Sequence, residues 1–109
     1  MKKCYVMNRE PKVIKNFPGA ISQIVFDEEN SPITGFSAMV NEFQNTEFLP
    51  FGIHEDNEGF FVLEGTGSMI VADEEFAISA GFSMIVPAHT VHAIRKTGEA
   101  KLKIFLFHF

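Results

Sequence analysis

With 109 residues, 46% of them hydrophobic, the chain is long enough for one core and is read as one domain spanning residues 1–109. A net charge of −5, with no basic run beyond Met1-Lys2-Lys3, excludes the electrostatic footprint of a nucleic-acid binder. No stretch approaches the ~20 apolar residues of a membrane helix, no apolar core follows the N-terminal lysines as a signal peptide requires, and the one cysteine, Cys4, has no internal disulfide partner. A cytoplasmic protein with a quiet thiol is therefore expected.

Period-two alternation and turn punctuation predict strands along the chain. Ala20 to Phe26 is the first clear one, closed by the polar cluster Asp27-Glu-Glu-Asn-Ser-Pro32. Phe36 to Phe43 follows and ends at Gln44-Asn45-Thr46. Phe48 to His54 is predicted as a strand, with Pro50 placing it at an edge or bend. Gly59 to Glu64 lies between Asp56-Asn57 and Gly65-Thr66-Gly67. Ser68 to Ala72 and Glu75 to Ser79 are expected to form a hairpin around Asp73-Glu74. Phe82 to Val86 stops at Pro87. His92 to Lys96 and Lys101 to Phe109 are expected to pair across Thr97-Gly98. Short, regularly spaced strands without a helical stripe predict an all-β fold, an antiparallel barrel or sandwich. In the last strand Ile104, Leu106 and His108 share one face, and Phe105, Phe107 and Phe109 the other. The outer face asks for a cover, either a partner subunit or a second sheet.

Candidate chemistry sits at strand ends. His54 shares a face with Gly52, and Glu58 with Phe60 and Val62. The turn Glu55-Asp56-Asn57 is expected to fold the two strands back on each other and bring His54 beside Glu58; His92 joins them if its strand is a neighbour. Two imidazoles and a carboxylate suit a divalent transition metal, with Fe, Mn, Ni, Co and Zn all compatible. His89 is expected to face solvent, and His108 to take a core or edge position. Phe48 and Phe60, in register with Gly52, are candidates for the wall of an apolar pocket. No Ser-His-Asp, Cys-His or phosphate-loop arrangement competes, and Gly65-Thr66-Gly67 lacks the lysine of a P-loop.

These residues resemble the cupin superfamily, whose first motif runs G-x5-H-x-H-x3-4-E-x6-G. Read back from Gly65, six residues lead to Glu58 and three more to His54. The family's first histidine falls on Gly52 and its opening glycine on Thr46. The second motif, G-x5-P-x-G-x2-H-x3-N, is matched by Gly81, Pro87 and His92, with His89 in place of its glycine and Lys96 in place of its asparagine. The resemblance spans about Phe36 to Phe109 and implies a jelly-roll barrel, a double-stranded β-helix. It implies a site of His54, Glu58 and His92, one histidine short of the family's set, and a homodimer. The expected function is binding of a small molecule at a divalent metal. Whether the protein is an enzyme (of oxygenase, isomerase or lyase type) is left open. The alternatives are a non-catalytic binding module and a structural barrel filled by its 13 phenylalanines.

Overall fold

The computed structural model describes residues 5, 10, 12–13, 19–49 and 52–109. Cys4 and Pro50 lie outside them. Among the described residues nine antiparallel strands form two sheets, and there is no helix long and apolar enough to cross a membrane. They are β1 (Lys12–Val13), β2 (Ala20–Phe26), β3 (Ser37–Phe43), β4 (Glu58–Glu64), β5 (Thr66–Val71), β6 (Glu74–Ser79), β7 (Ser83–Val86), β8 (His92–Lys96) and β9 (Leu102–His108). The larger sheet runs β1-β2-β3-β9-β4-β7, and the smaller β6-β5-β8. The all-β fold expected from the spacing is the fold observed, and it is the jelly roll that the family resemblance implies.

Alternation dictates what each strand buries. On β9, Leu102, Ile104 and Leu106 are almost wholly buried. Each removes an apolar side chain from water for about 1.5–3 kcal/mol. Across the sheet, Phe60 and Val62 of β4 join them. From the smaller sheet Met69, Ile78 and Ile94 complete the cluster, so the core is the layer between the two sheets. The chain passes from β4 to β5 through Gly65, whose φ of +89° and approach to the Lys101 carbonyl leave no room for a side chain.

Three pairing expectations are corrected. Phe48 to His54 forms no regular strand among its described residues; its link to a sheet is an isolated bridge from Gly52 to His92. The Glu55-Asp56-Asn57 turn consequently makes no hairpin, and β4 pairs with β7 and β9 instead. Nor do β8 and β9 pair across Thr97-Gly98: β8 belongs to the smaller sheet beside β5, whereas β9 lies between β3 and β4 in the larger. The chain changes sheets at that turn. The hairpin of β5 and β6 does form, with Val71 opposite Glu74.

Candidate metal centre

Three segments converge at one end of the sandwich. Glu58 opens β4 and His92 opens β8. His54 stands on the connection from β3 to β4, held by backbone bonds. The Gly52 N–H donates to the His92 carbonyl at 2.9 Å, and the His92 N–H returns the bond at 3.0 Å. Two residues on, the His89 N–H donates to the His54 carbonyl at 2.7 Å. Asn57 fastens the same loop to two neighbours. Its backbone exchanges hydrogen bonds with Phe109, and its side-chain oxygen accepts from the Ala88 N–H at 3.0 Å.

The donor atoms of His54, Glu58 and His92 all lie within 4.8 Å of one another. Nε2 of His54 and Nε2 of His92 are each 3.2 Å from Glu58 Oε2. Donors about 2.1 Å from one ion and at right angles lie roughly 3.0 Å apart, so these separations suit neighbouring positions around a metal. The Glu58 and His92 side chains are 9% exposed and that of His54 is 42% exposed. Glu58 Oε2 is buried with no hydrogen bond of good geometry. A buried carboxylate oxygen without a donor is costly, and a cation answers that deficit.

His92 is held in one orientation by the backbone. Its Nδ1 lies 3.0 Å from the Thr90 carbonyl oxygen, which can only accept. The Nδ1 proton is therefore assigned to that bond, and in the neutral ring Nε2 presents a lone pair toward Glu58. Burial disfavours the charged ring. The Glu58 carboxylate and the Thr90 carbonyl act more strongly the other way, and His92 holds its proton above the ordinary 6.5. Phe60 sets its ring edge against His92 at 6.0 Å between centroids. At Gly52 an added Cβ would sit 3.4 Å from His54 Nε2 and 3.5 Å from His92 Nε2. Position 52 thus points into the space between the imidazoles, and glycine leaves that space open. The residues fit a divalent ion.

Phe48 packs its ring beneath the Arg95 guanidinium, 5.1 Å from Cζ to the centroid, and Phe60 is buried in the core. His89 is exposed, with φ +64°, the left-handed conformation where the second motif has its glycine. His108 was read from sequence as a core or edge residue. It lies directly opposite Glu58 across β4 and β9, with Nε2 4.0 Å from Glu58 Oε2 and Nδ1 3.3 Å from Asp56 Oδ1. A polar residue ending the apolar stripe Leu102-Ile104-Leu106 was the available signal. A cavity of about 370 Å³ lies beside this end, lined by Ser31, Thr34, Phe36 and Asp56 among others.

Comparison with known proteins adds the following. The family model described as "Cupin domain" matches residues 42–108. An uncharacterized protein of Methanocaldococcus jannaschii is 33% identical over 51 residues, covering 47% of this chain; the match spans about two fifths (41%) of that relative's length. The polyketide cyclase RemF of Streptomyces resistomycificus superposes with a TM-score of 0.78 at 14% identity, covering 91% of this chain and 72% of that one. KdgF from Halomonas sp. gives 0.74 at 21% identity, covering 92% and 86%. The hydroxypropylphosphonic acid epoxidase of S. wedmorenis gives 0.77 at 24% identity, covering 96% and 58%. At these identities the structural likenesses establish the fold.

Proposed function

The chain belongs to the cupin family, and on that footing we propose that it binds a divalent transition metal through His54, Glu58 and His92 and offers the ion's remaining positions to a small-molecule ligand. The observation that carries the reading is the buried Glu58 Oε2, approached by two imidazole nitrogens at 3.2 Å yet left without a hydrogen bond. A bound ion would supply Lewis acidity and a docking point for a chelating ligand. This chain's own contribution is orientation. Thr90 fixes the His92 tautomer, Gly52 keeps the space between the imidazoles free, and Phe60 walls the inner side. Fe(II) is a reasonable first ion to test, because a structure described as Fe(II) HppE shares the fold with a TM-score of 0.70. The test is elemental analysis of native protein, followed by thermal melts of stripped protein with Fe, Mn, Co, Ni or Zn added. A stoichiometric metal, or a raised melting temperature with at least one ion, supports the reading. Neither result with any ion removes it, leaving a ligand-binding or structural barrel without a metal.

The outer face of the larger sheet supports a homodimer. Ile85, Gly59 and Phe107 line up across β7, β4 and β9, with Phe61 opposite Phe105 one step along. Phe61, Leu63 and Ile85 are exposed there, at 43%, 46% and 59%. The rings of Phe105, Phe107 and Phe109 follow one another at 5.9 and 5.7 Å. An exposed apolar face of this kind suits a second copy of the chain related by two-fold symmetry.

A further inference from the structure

We propose that His108 is the fourth ligand of the metal, supplying from the last strand the imidazole that Gly52 does not. The inference rests on the metal reading of His54, Glu58 and His92.

Strand geometry aims His108 at the site. Asn57 and Phe109 exchange both backbone hydrogen bonds, so the adjoining pair, Glu58 and His108, is a non-hydrogen-bonded pair. Residues so paired carry their side chains on the same face and at the closest approach two strands allow. That face is the inward one, continuing the buried stripe of Leu102, Ile104 and Leu106. The His108 side chain is accordingly 19% exposed, and Nε2 faces Glu58 Oε2 at 4.0 Å. Two atoms that each lie about 2.1 Å from one ion are at most roughly 4.2 Å apart, so Nε2 and Glu58 Oε2 are within the span of a shared ion, while the donors all within 4.8 Å of one another are those of His54, Glu58 and His92, and the His108 ring must draw closer to join them. Its ring stands edge-on to that of His54, with centroids 5.5 Å apart.

The other nitrogen is also accounted for. Nδ1 is 3.3 Å from both Asp56 carboxylate oxygens. A carboxylate accepting from Nδ1 fixes the tautomer that bares Nε2, the arrangement in which metal-bound histidines are commonly braced. His92 uses the Thr90 carbonyl in the same way. Asp56 is therefore a positioning residue for His108.

The experiment uses full-length protein stripped of metal and loaded with Cu(II) alone, with the bound imidazoles counted by pulsed electron paramagnetic resonance. Three are expected in the wild type and two in His108→Gln. Gly52→His added to His108→Gln should return the count to three. Position 52 accommodates that change, since its backbone is not left-handed and an added Cβ meets nothing closer than 3.4 Å. Co(II) affinity should fall at least tenfold in His108→Gln and be recovered in the double variant. Two imidazoles in the wild type overturn the proposal by themselves, whether or not any variant folds. An unchanged count in His108→Gln does the same, even with weakened affinity, because it leaves His108 an outer partner. If the wild type binds no ion, the metal reading and this inference fall together; an ion held by two imidazoles removes this one alone.

Discussion

The left-handed residue in the loop before β8 offers a quantitative test of how the second motif works. His89 has φ +64°, a conformation that costs a side chain bearing Cβ about 1–2 kcal/mol. Histidine tolerates this region better than most, so about 1 kcal/mol is the appropriate figure. His89→Gly removes that strain but adds unfolded-state freedom worth about 0.4–1 kcal/mol. The two nearly offset, leaving a net stabilisation of about 0–0.6 kcal/mol, equivalent to roughly 0–4 °C in melting temperature for a domain of this size. His89→Ala isolates the opposite sign. It keeps the strain and surrenders histidine's tolerance of left-handed φ, so it should melt below wild type and about 1 kcal/mol below His89→Gly. Calorimetry on the three stripped proteins at one pH gives the ranking. His89→Ala equal to or above His89→Gly would refute the strain argument. Metal content should be the same in all three, because the exposed His89 ring is not among the donors.

The remaining predictions concern the site and the sheet face. Glu58→Gln should abolish stoichiometric metal retention while circular dichroism still reports an all-β fold; metal retained at wild-type level moves the ion elsewhere. The raised pKa of His92 gives a pH signature for the stripped protein. Its contribution to stability is complete below about pH 6.5 and is lost as pH rises through the folded value, so this component of the melting temperature falls toward alkaline pH. Loading with Zn(II) reverses the trend, since the ion needs the deprotonated ring and must displace its proton. Parallel melting profiles for stripped and loaded protein from pH 5.5 to 8.5, values chosen to bracket the ~6.5 reference, contradict imidazole ligation. Ile85→Lys places a charge on the exposed apolar face, on edge strand β7, and should shift light-scattering mass from dimer toward monomer with little loss of stability. A wild type that is already monomeric at high concentration ends the dimer reading.

The strands and their inward faces were legible because period-two burial leaves its mark on each segment separately. β2 and β8 have the limits the alternation indicates, and the stripe from Leu102 to Leu106 is buried as it implies. Pairing was not legible. Thr97-Gly98 looks like a hairpin turn, yet the strands it joins lie in different sheets, a choice made by partners 21 to 71 residues away. The approach of His54 to Glu58 was anticipated for the wrong reason. The expected hairpin is missing, and the two are brought together by the bridge from Gly52 to His92 and the bonds of Asn57 to β9. His108 escaped because its neighbour across the sheet lies 50 positions earlier in the chain, and no local pattern reports that register.

The unequal exposure of the three donors gives the centre a direction. Glu58 and His92 are backed by hydrocarbon, whereas His54 is the donor that water reaches. His54 marks the open side of the centre, and Phe60 and the packed interior close the far side. On the proposed metal reading, an ion so placed would favour molecules that reach it with a chelating tip and keep their remaining length outside the barrel.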